Sequence, residues 1–381
     1  MTVKFEQYTE VLNLVIVSRN GGVPDMMEID GSYGEGGGQI LRTAVSLSAL
    51  AMQPVRIIKI RASRPQPGLK KQHIAAVELT ARLVKARVSG LKVGSTEVGF
   101  EPIERCNGNF SFDVGTAGSI SLVLQAVLPP AVLSHEPTTF RLTGGTDVSW
   151  SPPIDYIREV FLKMLGRIGL TVSLVQERRG HYPAGGGKVS CAVSANKQIA
   201  PLELVEFGRL REIGGISHCV RLPAHVAERQ AVSAENALRS QHVDSIHIAR
   251  ESHPKGADPH LGPGSGIVLW AESEDGVRLG SDSLGEKGKS AEEVGSGAAR
   301  ALLHEMASGM AVDSHLSDML VPYLALASGE SRIGITEITS HLMTNVWVTR
   351  QILGIDVDIQ GKIGEPGILR IRGTTLPPRQ S

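Results

Sequence analysis

Residues 115–133, GTAGSISLVLQAVLPPAVL, decide how this chain is organised: a glycine-rich turn runs straight into an apolar stretch long enough to be a buried helix. The same arrangement occurs at 36–52 (GGGQILRTAVSLSALAM) and at 313–328 (DSHLSDMLVPYLALAS). Each copy leads through a β-rich stretch into a second, amphipathic helix, expected at 70–86, 153–169 and 340–354. In the middle copy Ile154, Ile157, Val160, Phe161, Met164, Leu165 and Ile168 share one helical face. Singly, such a stripe reads as core. Together, three copies of a βαβα-like pattern imply an α/β (α+β) protein built from three similar units.

The rhythm breaks between the second and third copies. Residues 206–308 carry their own expected strands (213–222, 245–249, 266–271) and helices (224–238, 291–306), which reads as a smaller inserted α/β domain. The large domain then comprises 27–205 and 309–375. The glycine- and proline-rich stretch 253–266, HPKGADPHLGPGSG, reads as a hairpin-like connection. Residues 1–26 have no counterpart in the other units and read as an appended tail. Their apolar run, Val11 to Val17, follows Glu6 and Glu10 and lacks a basic start, which is wrong for a signal peptide.

Composition narrows the function. The 381 residues are 41% hydrophobic and 20% charged, with 39 basic and 39 acidic side chains. A net charge of zero excludes a generic nucleic-acid binder, so any such site must be local. Every apolar stretch is interrupted before the roughly 20 residues a membrane span needs. Cys106, Cys191 and Cys219 form neither a CxxC pair nor an even disulfide set. Free thiols in a cytoplasmic protein are expected.

Residues 31–42, GSYGEGGGQILR, place the carboxylate of Glu35 inside a glycine run that opens a helix. Exposed amides at a helix N-terminus favour phosphate, but the spacing is neither that of a P-loop nor GxGxxG. An acid there repels phosphate unless a cation bridges them, so Glu35 is a candidate ligand for Mg²⁺ or Mn²⁺. A tight turn with a solvated Glu35 is the alternative. From Gly36 to Val77 there is no acid, while Arg42, Arg56, Lys59, Arg61, Arg64, Lys70 and Lys71 all fall there. Alternation in VRIIKIRASR puts Lys59 and Arg61 on one strand face, beside the loop bearing Arg64. That set is either a phosphate site or a solvated basic face. His341 opens the last amphipathic helix behind Thr339 and Ser340, where the positive helix end keeps an imidazole neutral and nucleophilic.

In order along the chain, GSYGEGGGQILRTAVSLSAL (31–50), RASRPQPGLKKQH (61–73), VGTAGSISLVLQAVLP (114–129), HYPAGGG (181–187), DSHLSDMLVPYLALA (313–327) and SHLMTNV (340–346) closely resemble the RNA 3′-terminal phosphate cyclase family. The resemblance runs from Met27 to about residue 361. It implies three βαβαββ units, each similar to the C-terminal domain of translation initiation factor 3, with a smaller inserted domain. It further implies ATP-dependent conversion of an RNA 3′-phosphate into a 2′,3′-cyclic phosphate through a covalent histidine–AMP. The nucleophile would be His341. Glu35 would hold the metal, and Arg42, Arg61, Arg64 and Gln72 would surround phosphates. Gln125 with His315, Leu316, Ser317, Asp318 and Met319 would meet ATP. The expected partner is RNA with a 3′-phosphate end, with no membrane; a homodimer is left open.

Two other readings stand beside this one. A non-catalytic branch acting in ribosomal RNA processing lacks the nucleophilic histidine, which this chain keeps. An enolpyruvyl transferase would share the outline of the units but not explain SHLMTN. The chain departs from the family pattern in its first 26 residues and in being poor in aromatic side chains, which leaves little base stacking for sequence-selective RNA binding.

Overall fold

A computed structural model describes residues 26–374 except 135, 196, 197 and 255; the expected tail before Met26 lies outside the described residues. The first unit runs β1 (Met27–Asp30), α1 (Gly38–Ala51), β2 (Val55–Ile58), α2 (Lys71–Leu83), β3 (Arg87–Ser89) and β4 (Val98–Glu101). The second runs β5 (Gly108–Asp113), α3 (Ile120–Val132), β6 (Thr138–Gly144), α4 (154–167), β7 (Val172–Arg178) and β8 (Gly187–Val193). Residues Ile157–Phe161 of α4 are wound as a π-helix. The seven apolar residues expected on one face of α4 and its end are all buried.

The third unit is split. Its first strand, β9 (Glu203–Leu204), precedes an inserted segment, and the rest follows it: α7 (Ser314–Leu324), β14 (Glu330–Ile335), α8 (Ser340–Leu353), β15 (Asp356–Gln360) and β16 (Gly367–Arg372). The segment between holds β10 (Leu210–Val220), α5 (His225–Arg239), β11 (Ile246–Glu251), β12 (Gly264–Ser273), β13 (Arg278–Leu284) and α6 (Ala291–Ala307).

Three sheets share one strand order: β1-β2-β4-β3, β5-β6-β8-β7 and β9-β14-β16-β15. In each, the first two strands pair in parallel and the remaining pairs are antiparallel. A parallel pair cannot be joined by a tight turn, so a helix crosses between them. Alternating burial along β5 (ieieie) leaves one sheet face to solvent. The helices take the other side and meet in the middle. There α1 packs on α2, α3 and α8, and α7 packs on α8. Helix α1 is buried almost all round, from Gln39 to Leu50, as a helix enclosed by others must be.

The inserted sheet has a different order, β11-β10-β12-β13. Two expectations need correcting here. Stretch 253–266 is not a hairpin, because β11 and β12 flank β10 instead of pairing with each other. Strand β13 was not foreseen, its Gly280, Ser281 and Asp282 masking the strand pattern. A third correction concerns the first unit. Strand β2 ends at Ile58, and Lys59 and Arg61 adopt left-handed φ of 51° and 56°, so they do not share a strand face.

Candidate active site

The loop from Gly31 to Gly37 leads β1 into α1 through left-handed φ of 56° at Gly34 and Gly36, where a Cβ would be strained. No side chain caps α1, whose first turn also carries no acid. Tyr33 stacks on Trp347 of α8 with ring centroids 4.1 Å apart, pinning this loop to that helix. Gly38 permits a close approach: a Cβ there would collide with His73 Nε2. Burial first, then Arg42, Arg61 and Lys70, pushes His73 down to about 3, so it stays neutral against the helix end.

Two first turns converge, that of α1 and that of α8, beside Asp318 in the second turn of α7. One side chain, Gln39, ties them. Its Nε2 donates to Asp318 Oδ2 of α7 at 2.6 Å and to the carbonyl of His341 of α8 at 3.3 Å. Asn345, one turn beyond His341, donates to the Asp318 carbonyl at 2.9 Å, and accepts from Thr43 of α1 at 2.6 Å. The side chains of Thr339 and Asp313 cap α8 and α7, fixing where each begins. Unsatisfied amides and aligned peptide dipoles make each such end electropositive. The ends of α1 and α8, meeting at one place, form an anion-attracting focus.

The hydrogen bonding also selects the tautomer of His341. Because the Gln39 amide nitrogen donates to a carboxylate, its Oε1 is left to face His341 Nδ1. A carbonyl can only accept, so Nδ1 carries the proton and Nε2 keeps its lone pair. Burial lowers the His341 pKa below its ordinary value, as do Arg42, His315 and Arg64, against the opposing pull of Glu35. The ring is nevertheless 56% exposed, open to a reactant. Glu35 Oε2 lies 3.2 Å from that Nε2 and 3.7 Å from Arg64 Nη2. With the imidazole neutral, two electron-pair donors face each other there. A divalent cation on the Glu35 carboxylate would relieve this, and a partly exposed oxygen donor suits an ion that keeps most of its water.

Arg42, one turn into α1, is pushed down to about 10 by burial, with Asp318 acting the other way. Its Nε is buried without a hydrogen-bond partner among the described residues. Burial pushes Asp318 up to about 7, opposed by His315, Arg42 and the Gln39 amide. Gln125 of α3 and Met319 line a narrow cleft with Gln39, Arg42, Asp318 and Asn345. Gln72, in the first turn of α2, lies beside Gly118 at the turn opening α3. Among the expected residues, Glu35, Arg42, Arg64, Gln125, Asp318, Met319 and His341 are thus gathered around one place.

His315 is exposed, its ring edge-on to Tyr156, and lies close enough for its charge to act on both Asp318 and His341. Others face elsewhere. Arg61 Nη1 donates to the carbonyls of Gln66 at 2.7 Å and Gly68 at 2.9 Å, bracing its own loop. Leu316 and Ser317 are fully buried, so their side chains point into the core. Sequence reading missed Gln39, Thr43, His73 and Asn345. Helical spacing offered a signal for Asn345, four residues after His341.

A family model described as RNA 3′-terminal phosphate cyclase matches residues 33–359. A protein of that name from Methanopyrus kandleri is 52% identical over 347 residues, covering 91% of this chain and 99% of the relative. One from Staphylothermus marinus is 51% identical over 356 residues, covering 93% and 100%. Another, from Thermococcus gammatolerans, is 49% identical, covering 91% and 98%. With the match spanning all three units and the insertion, the chain belongs to the RNA 3′-terminal phosphate cyclase family.

Proposed function

We propose that this protein is an enzyme that uses ATP to convert an RNA 3′-phosphate end into a 2′,3′-cyclic phosphate, working through a covalent adenylate on His341. One observation carries the reading: an exposed imidazole, its Nε2 lone pair oriented by Gln39, stands where the N-terminal turns of α1 and α8 meet. Nucleophile and anion site coincide.

In the first step Nε2 attacks the α-phosphorus of ATP, a P–N bond forms, and the bond to pyrophosphate breaks. Positive charge then developing on the ring is stabilised through Nδ1–H by Gln39 and by the Glu35 carboxylate. Arg42 and Arg64, with the helix ends, hold phosphate oxygens. Glu35 would hold Mg²⁺ or Mn²⁺, which when bound neutralises phosphate charge. In the second step an oxygen of the RNA 3′-phosphate attacks the adenylate and the P–N bond breaks. Finally the adjacent 2′-hydroxyl attacks the RNA phosphorus and AMP leaves. This closure is intramolecular and gains the corresponding entropic advantage. Contacts of this kind are to phosphate, so base identity should matter little. No helix among the described residues is long and apolar enough to cross a membrane. Free thiols and this soluble substrate fit a cytoplasmic setting.

Incubation with ATP labelled at the α-phosphate, metal and no RNA tests the reading. An acid-labile, base-stable label is expected on the protein and should be absent from His341→Ala. Equal labelling of that variant would refute the assignment. RNA carrying a 2′-O-methyl group at its 3′-phosphate end should stop at the adenylated RNA.

A further inference from the structure

We propose that Asp147, His181 and His218 form a structural site for a zinc-class divalent ion that staples the inserted sheet to the second unit. Asp147 and His181 belong to the second unit, held side by side by a parallel bridge between the loops after β6 and β7. His218 comes from β10 of the insertion. One ligand atom from each lies within 4.8 Å of the others. The place is sealed: relative exposure is 2% for Asp147, 7% for His181 and 0% for His218.

Two features point to a ligand. First, Nδ1 and Nε2 of His218 and Nε2 of His181 are buried with no hydrogen-bond partner among the described residues. Polar atoms so enclosed ordinarily find partners. His218 Nε2 lies 3.7 Å from Asp147 Oδ1, too far for a hydrogen bond. Asp147 Oδ2 accepts from the Thr146 hydroxyl at 2.6 Å, while Oδ1, 3.7 Å from His218 Nε2, takes only a long 3.4 Å bond from Arg179 Nη1. Second, the charge balance invites a cation. Arg179 is shared by three carboxylates, with bonds of 2.6 Å to Glu251 and 2.7 Å to Asp155 but a longer 3.4 Å contact to Asp147. Arg158 reaches Asp155 from the far side and is itself shared with Glu159.

Two imidazoles and one carboxylate select a borderline ion such as zinc over magnesium or calcium. Bonds near 2.1 Å put tetrahedral ligands about 3.4 Å apart, against 3.7 Å between Asp147 Oδ1 and His218 Nε2 and no more than 4.8 Å for any pair, so loading needs only a small contraction. The packing supports a stapling role. His181 lies directly on β12, where a Cβ on Gly264 would overlap its ring.

The experiment uses the full chain with Glu35→Ala and His341→Ala, so that ions at the candidate active site do not contribute. Purified with zinc and desalted, it should retain about one zinc per chain by plasma mass spectrometry. Replacement by Co²⁺ should give the visible absorption of a tetrahedral nitrogen and oxygen site, and zinc should raise the melting midpoint. Adding Asp147→Asn, which keeps the shape of the side chain, or His218→Ala should abolish retention. Absence of retained zinc together with no visible Co²⁺ band overturns the proposal, and so does zinc retained equally by a folded His218→Ala chain. The Co²⁺ spectrum needs no mutation within the cluster, so it remains decisive even where His218→Ala fails to fold.

Discussion

Two clusters that combine histidine, carboxylate and arginine, one around His341 and one around Arg179, have opposite characters. Around His341 the groups are loosely assembled and half open: Glu35 is 32% exposed and Arg64 43%, with contacts of 3.2 and 3.7 Å. Around Arg179 the centre is sealed, the side chains of Arg179, Asp147 and Asp155 being 2%, 0% and 0% exposed, and Glu251 at 37% forms its rim. Solvent accounts for the difference. The open cluster keeps its charges available to an incoming phosphate and adds little to stability, since exposed pairs are worth little. The sealed cluster uses its charges on itself, and each member depends on the rest.

Substitutions can break this contrast. Arg179→Ala leaves Asp147, Asp155 and Glu251 facing one another without their shared cation, and should lower unfolding free energy by about 3–5 kcal/mol, read by urea titration. Arg64→Ala, in the open cluster, should change stability by under about 0.5 kcal/mol. Comparable losses would erase the distinction.

Gln39→Leu sharpens the comparison from the side of chemistry. It removes the acceptor that holds the His341 proton on Nδ1, and should slow self-adenylation by roughly 10- to 100-fold when assayed well below the variant's own melting midpoint. Normal labelling would show that the tautomer needs no such partner.

A smaller effect separates stability from activity at Asp318. Its carboxyl titrates near 7 in the folded chain against 3.8 unfolded. The folded state therefore binds the proton more tightly, and stability falls as pH rises from about 4 to about 7. Asp318→Asn mimics the protonated form. It should gain about 1–2 kcal/mol at pH 8, discounted for partial exposure, and nothing at pH 4. Equal gains at both values would exclude burial of charge as the cause.

The smallest expected change is in the pH profile of labelling. His341 titrates below 6.5, so its neutral form is already dominant at pH 7. The rate should be level above that point and decline only as acid protonates Nε2. A decline beginning above pH 7 would mean that Glu35 holds the imidazole charged.

Apolar periodicity made the three units legible, because a buried helix repeats its signature wherever it occurs. Where backbone conformation broke a pattern, reading failed. Alternation at Lys59 and Arg61 carries meaning only in extended chain, and both residues turn left-handed. That His341 opens a helix was readable, while its role came from the resemblance. Gln39 was not readable, since an uncharged amide shows no pattern until three helices come together around it. Leu316 and Ser317 look like members of a binding turn in a linear motif, yet helical geometry sends them inward beside exposed His315.

The split of the third unit bears on how the molecule is assembled over time. Glu203 in β9 finds its partner Arg332 in β14 only 129 residues later, after the whole insertion. Contacts so distant in sequence close slowly, whereas the first two units are made of nearby segments and emerge first during synthesis. Helix α8, and with it the reactive imidazole, is therefore expected to dock last. Pulse-labelling hydrogen exchange during refolding would show it as late protection in 340–353, after the amides of α1 and α3 have closed.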